Sequence, residues 1–433
     1  MLQARNNYQT LAERRPDHFI RYEYPKLLSR SRHALASFLK LDASTVVFVA
    51  NATTGVNTVL RNLTYSASDR ILYFSTTYGA CEKTILYLEE STPVRGVSIP
   101  LTYPVSDDAL LALFQDAIQA ERAAGHRVRL ALFDTVVSLP GVRMPFERLV
   151  RVCRAENVLS MVDGAHGVGH LDLDLVKLDA DFFTSNCHKS VLSLPPSTVL
   201  SPITDNHSRW LFAPRGAAVL YVPTRNQALI RSSLPTSWGY LPPPDPTQPV
   251  AFNPFPAIPG ETSFTTQFLF VGTVDPSPYL CVYDALRWID STCGGFTRVL
   301  EYNTQLARDG GRALARLLGT EVMENAEGSL GECMMTNVSL PLGDKVVMDK
   351  REMMVVISWM GKVMREEKNT FIAIMLHGGR IWARVSGQVY LEMDDFVFAA
   401  RVLRDLCARV ELGEHQMSGV KVTDEGVQNS GEP

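Results

Sequence analysis

The chain has 433 residues, of which 46% are hydrophobic and 20% are charged, proportions typical of a globular protein with a sizeable core. Its 42 Lys and Arg residues against 46 Asp and Glu residues leave a net charge of −4, with no basic run of the kind that binds nucleic acid. No uncharged apolar run approaches the ~20 residues of a membrane span, and the charged first residues do not resemble a secretory signal. We therefore predict a soluble, cytoplasmic protein that binds neither nucleic acid nor membranes.

The cysteine pattern argues against two further classes of protein, those held together by disulfides and those built around a structural zinc ion. All seven cysteines are spread singly along the chain, with no Cys-x-x-Cys pair. An odd number of isolated cysteines is typical of neither a disulfide framework nor a structural zinc site. We predict no metal centre.

In chain order, a helical segment over residues 1–30 is followed by short β-rich runs that alternate with helical stretches. Strands separated by helices predict a mostly parallel sheet covered on both faces, with ligands at the carboxyl ends of the strands. We expect an α/β fold with a large domain over residues 31–283. The predicted strands are Thr45–Val49, Ile71–Phe74, Val128–Phe133, Val158–Val162, Asp181–Thr184 and Ala217–Val222.

The later part of the chain predicts a second, smaller α/β domain over residues 284–412. The Pro-rich stretch Leu234–Pro259 has no periodicity and indicates a long excursion or lid. The polar tail Gly413–Pro433 is typical of disorder. The remaining predicted elements are helices Ser277–Ile289, Gly295–Leu318 and Met393–Val410, and strands Met334–Leu340, Thr370–Met375 and Ile381–Val385.

Two residues at predicted strand ends indicate a cofactor. Asp163 ends one strand, and Lys189 follows the next strand in Asn186-Cys-His188-Lys189. A lysine and a carboxylate on neighbouring strands suit pyridoxal phosphate, since the amine forms a Schiff base and the carboxylate keeps the pyridine nitrogen protonated. Alone, Asp163 would be a turn acid and Lys189 a surface residue; their order and spacing favour the cofactor.

Other strand ends offer groups for the rest of that cofactor. Thr53 and Thr54 open a predicted helix, where hydroxyl and backbone donors bind phosphate, although a plain helix cap would look the same. Tyr78 could lay its ring against the pyridine or pack in the core. Thr273 precedes a helix and could donate to the phosphate or cap that helix. Arg384 could clamp an amino-acid carboxylate or form a structural ion pair.

These motifs resemble the class V aminotransferase family of pyridoxal-phosphate enzymes, a group that contains cysteine desulfurases and isopenicillin N epimerase. The resemblance implies the fold-type I architecture over nearly the whole chain. A narrower resemblance, to a sulfoxide-cleaving carbon–sulfur lyase branch, is carried by longer stretches. The motifs are Asp163-Gly-Ala-His166, Asn186-Cys-His-Lys189, Gly272-Thr273-Val-Asp275 and Arg384-Val-Ser-Gly-Gln-Val-Tyr390, and the longer stretches are Phe19–Tyr22, Val47–Asn62, Leu139–Pro145 and Trp382–Met393.

The resemblance also implies a role for each site residue and a homodimer with two shared active sites. By this resemblance Lys189 carries the cofactor and acts as the base, Asp163 pairs with the pyridinium, and His166 lies near the ring oxygen. The remaining implied roles are phosphate or ring contact for Thr53, Asn186 and His188, stacking for Tyr78, phosphate contact in the neighbouring subunit for Thr273, and substrate carboxylate binding for Arg384.

The reaction predicted from this set is elimination of a leaving group from Cβ, and the substrate is a small amino acid. A desulfurase needs a cysteine on a loop near Arg384, and none of the seven lies in Met375–Gly387, which favours elimination. Cys333 stays open as such a nucleophile. Cysteine desulfuration and epimerisation are the alternative reactions, since they share the same cofactor chemistry.

The sequence departs from the family pattern in two places. The family's chains usually begin earlier, with a segment that helps to wall the substrate pocket. The Ser/Pro-rich segment Ser190–Arg209 also interrupts the usual run from Lys189 to Trp210. We interpret that segment as a translated intron or gene-model error and Met1 as a misplaced start; a real insertion would predict a catalytically impaired fold.

Overall fold

The computed structural model describes residues 1–188, 211–243, 260–342, 349–417, 420–423 and 426–429. Lys189, the segment Ser190–Arg209 and most of the excursion Leu234–Pro259 lie outside the described residues. None of the helices in the described ranges combines the length and the apolar character that a bilayer crossing requires.

The chain opens with helices that pack on the large domain. The Ser31 hydroxyl donates to the Leu280 carbonyl oxygen over 3.0 Å, which ties the third of these helices to a later one. Phe19, Leu28 and Leu35 are buried in the main core. The opening helices are α1 (Leu2–Arg14), α2 (Pro16–His18), a π-helical turn (Phe19–Glu23) and α3 (Tyr24–Phe38).

A seven-stranded sheet in the described residues confirms the predicted α/β class. Its order is β1-β7-β6-β5-β4-β2-β3, and only β7 runs antiparallel to its neighbours. The central strands are buried on both faces, as expected for strands covered by helices. The strands are β1 (Val46–Val49), β2 (Asp69–Phe74), β3 (Arg95–Ile99), β4 (Arg127–Asp134), β5 (Leu159–Asp163), β6 (Phe182–Asn186) and β7 (Ala218–Tyr221).

Helices cover this sheet from both sides. Val56 and Ile85 belong to one buried hydrophobic cluster, whereas Phe114 and Leu149 belong to the other. The two clusters are the two faces of one sandwich of helix, sheet and helix. The covering and connecting helices are α4 (Ala52–Asn62), α5 (Gly79–Ser91), α6 (Asp107–Ala123), α7 (Phe146–Ala155), α8 (Leu175–Leu178) and α9 (Ser263–Gln267).

The C-terminal part forms a smaller antiparallel sheet of order β8-β10-β9. Helix α11 packs against α13 and against β8. The contact between α11 and β8 includes a hydrogen bond of 2.9 Å from Thr336 Oγ1 to the Ala307 carbonyl oxygen. The elements are α10 (Ser277–Thr292), α11 (Phe296–Leu318), β8 (Met335–Ser339), α12 (Lys350–Glu366), β9 (Ala373–His377), β10 (Arg380–Ser386), α13 (Met393–Glu411), β11 (Val420–Thr423) and β12 (Gly426–Asn429).

The structure differs from the sequence prediction at four places along the chain. Strand β3 was not predicted, because it lies at the sheet edge and most of its residues are partly exposed. Helix α12 was not predicted either, since its β-branched run Val355–Ile357 lowers helix propensity. Strand β9 starts at Ala373 rather than Thr370, because Asn369 turns the chain with a φ of 46°. The tail predicted as disordered contains the hairpin β11–β12.

We predict that Gly55→Ala destabilises the protein. A Cβ on Gly55 would lie 2.2 Å from Thr184 Oγ1, and that hydroxyl donates to the Val219 carbonyl oxygen over 2.9 Å. The clash should lower the free energy of unfolding by about 1–3 kcal/mol, even though Ala favours a helix by about 1 kcal/mol. Urea unfolding followed by circular dichroism measures the change.

Gly79→Ala is the matched control, because it also lies in the first turn of a helix and a Cβ there meets nothing within 4 Å. Its stability should not fall. Equal losses for the two variants would contradict the steric explanation.

Candidate functional site

Four of the predicted site residues, Asp163, Asn186, Thr53 and Tyr78, lie at one edge of the main sheet. Asp163 and Asn186 end β5 and β6, while α4 and α5 begin just after β1 and β2. These four strands run in the same direction, so their carboxyl ends share one edge.

Asp163 is a buried carboxylate held by its neighbours. The residue is only 3% exposed. Its Oδ1 accepts the Ala165 N–H over 2.9 Å, and the Cys81 thiol donates to its Oδ2 over 3.5 Å. Gly164 leaves no room for a side chain, since a Cβ there would lie 2.4 Å from the Phe183 ring. The tight turn fixes the carboxylate at the sheet edge, where it can hold a proton on a ligand nitrogen.

The start of α4 presents free hydrogen-bond donors. Asn51 caps the helix by accepting the Thr54 N–H over 2.8 Å, and Asn186 Oδ1 accepts the Ala52 N–H over 2.9 Å. The Thr54 hydroxyl is also bonded to Asn51 Oδ1, over 3.1 Å. Within the described residues, neither the N–H nor the hydroxyl of Thr53 has a hydrogen-bond partner. These donors at a helix N-terminus fit a phosphate group.

A cavity of about 310 Å³ opens beside this helix start, and Thr54, Arg215 and Asp275 line it. Asp275 belongs to the loop that also carries Thr273, an exposed residue. Asp275 accepts from Arg5 over 3.1 Å and from Gln9 over 2.8 Å, so α1 supports the loop. The structure thus brings the Thr273 loop to the cavity of Thr54 without placing Thr273 in its wall.

The two predicted histidines are fixed in different ways. His188 Nδ1 lies 2.7 Å from the Ala217 carbonyl oxygen, just before β7. His166 is 1% exposed, and its ring meets that of His170 edge-on at 6.0 Å between centroids. His170 Nε2 accepts the Met334 N–H over 2.8 Å, which links this loop to the smaller sheet.

Tyr78 lies at the start of α5 with 45% of its surface exposed. The alternative of a packed core tyrosine is therefore wrong. Its carbonyl oxygen accepts the Cys81 N–H over 2.8 Å, and Cys81 in turn reaches Asp163. The exposed Tyr78 ring stands at the start of the helix whose first turn carries Cys81, a position from which it can cover a flat ligand.

Arg384 is buried against the large domain. Its guanidinium donates to the Ser138 carbonyl oxygen, and a Cβ on Gly141 would lie 2.5 Å from Arg384 Cδ. Burial lowers the pKa of Arg384 to about 10, so the group remains charged at neutral pH. Its Nε is buried with no hydrogen-bond partner in the described part of the chain, which leaves a donor for a ligand carboxylate.

Two supporting residues were missed by the sequence analysis. Asn337 pairs with Arg384 across β8 and β10, and its amide exchanges two hydrogen bonds of 3.0 Å with the Gly141 backbone. A pairing between distant strands leaves no signal in a single sequence. Cys81 could have been found, because it follows Tyr78 by three residues on the inner face of a helix.

Cys333, which the sequence left open as a nucleophile, is a buried thiol. It is 2% exposed, its Sγ donates to the Met335 carbonyl oxygen over 3.5 Å, and burial raises its pKa to about 12. A thiol with that pKa is protonated at neutral pH and is a poor nucleophile.

No group of three or more His, Cys, Asp or Glu side chains in the described ranges could hold a metal ion.

Comparison with known proteins extends the picture. The family model "Aminotransferase class-V" matches residues 3–199. The chain is 35% identical to L-cysteine desulfhydrase-like protein lolT1 of Epichloe uncinata, over 94% of this chain and 90% of that protein. It is 27% identical to hercynylcysteine sulfoxide lyase of Schizosaccharomyces pombe, over 92% and 88%. The fold resembles the cystine C-S lyase C-DES in complex with cysteine persulfide, with a TM-score of 0.69, 18% identity and 93% of each chain covered.

We predict that Cys333 resists alkylation in the folded protein. Iodoacetamide attacks thiolates, and a pKa of about 12 leaves only about one thiol in 10,000 ionised at pH 8. Cys293, which is partly exposed, should be modified first. Peptide mapping by mass spectrometry after timed labelling, with urea-unfolded protein as the control, measures both rates. Labelling of Cys333 as fast as in the unfolded chain would refute the prediction.

Proposed function

The chain belongs to the class V aminotransferase family of pyridoxal-phosphate enzymes, and we propose that it is a carbon–sulfur lyase that eliminates a sulfur group from Cβ of a cysteine derivative. The observation that carries elimination, rather than sulfur transfer, is the burial of the Cys333 thiol, which lies near Arg384. The same site residues support the binding of the cofactor and of the amino-acid substrate.

The residues at the sheet edge suit pyridoxal phosphate. The Thr53 donors, which have no partner among the described residues, suit its phosphate, and the exposed ring of Tyr78 can cover the pyridine. Asp163, with both oxygens held in place, suits the pyridine nitrogen. We expect Lys189 to hold the cofactor covalently as a Schiff base. When bound, the cofactor supplies an electron sink that makes the Cα proton of an amino acid acidic.

The protein's own groups then perform the remaining tasks. Arg384 binds the substrate α-carboxylate through its free Nε and fixes Cα at the site. Asp163 keeps a proton on the ring nitrogen, which stabilises the electrons left at Cα. With the cofactor bound, the Lys189 amine would act as the base that takes the Cα proton. The sulfur group leaves Cβ with its bonding electrons, and water converts the remaining three carbons to pyruvate and ammonia.

Sulfur transfer would instead need a thiolate close to the departing sulfur. Cys333 lies near Arg384, close enough for each to influence the other's pKa, but it is protonated and enclosed by the backbone of β8. Ionising it at neutral pH would cost roughly 7 kcal/mol for a pKa about five units above the solution pH. Elimination needs no such group.

For the substrate, we propose hercynylcysteine sulfoxide, from which elimination releases the sulfenic acid of ergothioneine; a two-electron reduction by an external thiol, which is oxidised to a disulfide, then gives ergothioneine and water. The proposal is supported by the stretches Phe19–Tyr22, Val47–Asn62, Leu139–Pro145 and Trp382–Met393, which resemble fungal hercynylcysteine sulfoxide lyase. The second candidate is L-cysteine desulfhydration, supported by the higher identity to the lolT1 protein, 35% against 27%. Both reactions are eliminations, so the geometry described above serves either.

A homodimer with shared sites is part of the same proposal. The exposed Thr273 beside the Thr54 cavity is placed suitably for a neighbouring subunit's phosphate. The alternative proposal is a catalytically impaired fold, caused by the segment Ser190–Arg209. Cofactor absorbance and product formation distinguish this alternative from an active lyase.

We predict that the purified protein forms pyruvate from hercynylcysteine sulfoxide. The assay compares this sulfoxide, L-cysteine and isopenicillin N, and measures pyruvate, sulfide, alanine and the epimer. Pyruvate with sulfide from L-cysteine alone would support the second candidate, whereas alanine from cysteine would overturn elimination. Lys189→Ala is the inactive control, and absence of the cofactor's visible absorbance in the wild type would indicate the impaired fold.

We predict that Arg384→Lys lowers kcat/KM for the substrate by roughly 10- to 100-fold, because an ammonium cannot reproduce the planar guanidinium donors that hold a carboxylate. KM should account for most of the loss, with the cofactor absorbance retained. Arg380→Lys on the same strand is the control, since Arg380 is exposed and pairs with Glu321. Equal effects of both variants would contradict the carboxylate role.

A further inference from the structure

A second cavity, of about 380 Å³, lies between α11, the outer edge of β8 and the loop after β4. Its size falls within the range of small-molecule sites. Neither Asp163 nor Tyr78 lines it, so it is separate from the site at the sheet edge. The polar side chains in its wall are those of Arg308, Arg312, Glu324, Glu332, Thr336 and Asn337.

Two arginines of this cavity have no ion-pair partner among the described residues. Arg308 and Arg312 are four residues apart on α11, so their side chains lie on the same helix face. In the described part of the chain, neither guanidinium has an ion pair or a hydrogen bond. Like charges at this spacing repel each other, and a bound carboxylate would relieve that repulsion.

The cavity also contains negative charge. Glu324 is fixed by its own loop, because its carboxylate accepts the N–H groups of Leu330 over 2.9 Å and Gly331 over 3.0 Å. Glu332 adds a second carboxylate to the lining. Two guanidinium groups and two carboxylates balance, so a ligand that carries both a carboxylate and a cationic nitrogen matches this wall better than a simple anion.

We propose that this cavity binds a small zwitterion, with the ligand carboxylate on Arg308 and Arg312 and its cationic nitrogen towards Glu324 and Glu332. Gly141 and Asn337 belong to this wall and also support Arg384 from the other side. The cavity is therefore separated from the proposed substrate clamp by one layer of residues. The binding claim does not depend on which reaction the protein catalyses.

The probe for this test is glycine betaine, a zwitterion without the primary amine that would react with an aldehyde cofactor. Equilibrium dialysis of the full-length protein with labelled glycine betaine should show saturable binding of one molecule per chain. Arg308→Gln and Arg312→Gln should each weaken it by roughly tenfold or more, the usual loss for a charged hydrogen-bond partner.

Arg316→Gln is the matched control, because it lies one turn further along α11 and does not line the cavity. Arg316→Gln and Arg384→Lys should both bind glycine betaine with the same affinity as the wild type. Thermal unfolding checks that each variant is folded. The proposal is overturned by absence of saturable binding, by binding that survives both cavity variants, by its loss in Arg384→Lys alone, or by equally tight binding of pyruvate, which lacks the cationic nitrogen.

Discussion

The hydrogen bond from the Ala52 N–H to the Asn186 carboxamide, 2.9 Å long, determines where the whole site lies. It brings the start of α4 to the end of β6, although β7 separates β1 from β6 in the sheet. The contact requires glycine at position 55, because a Cβ there would lie 2.2 Å from Thr184 Oγ1 and would push the helix away from β6. The helix start, with the free donors of Thr53, is consequently held beside the strand end that precedes Lys189. A single ligand can then contact both the start of α4 and the end of β6.

The second constraint is the burial of Arg384 between the two sheets. A buried guanidinium is costly unless its donors are bonded, and here one donor meets the Ser138 carbonyl oxygen while Nε has no partner in the described residues. Asn337 holds Gly141 through two hydrogen bonds and keeps the supporting loop in place. The incomplete bonding of Arg384 is stabilised by this surrounding structure. A substrate carboxylate would complete it, which supports the proposed role of Arg384 in carboxylate binding.

The sequence predicted the large sheet well and the small domain less well, for a physical reason. Buried strands such as β5 and β6 are continuous apolar runs that end in polar residues, so Asp163 and Asn186 could be placed at strand ends from the sequence alone. The edge strand β3 and the β-branched helix α12 lack such a pattern. The partners of the site residues depend on tertiary contacts: nothing in the sequence near Arg384 indicates Ser138, Gly141 or Asn337. The motif residues were therefore predictable, whereas the contacts that orient them were not.

The two buried acidic groups that bear on the proposed chemistry differ in their hydrogen-bond partners. Asp163 is as inaccessible as Cys333, but its oxygens accept an N–H and an S–H, so its position favours holding a proton on a ligand. The Cys333 thiol contacts the carbonyl oxygens of Leu330 and Met335, which accept its hydrogen bond and favour the protonated thiol. The fold thus places the Asp163 carboxylate where it can stabilise a protonated ring nitrogen. It keeps the Cys333 thiol protonated, whereas sulfur transfer would need a thiolate. A site of this kind favours release of the sulfur group with its electrons into solution over its capture by the protein.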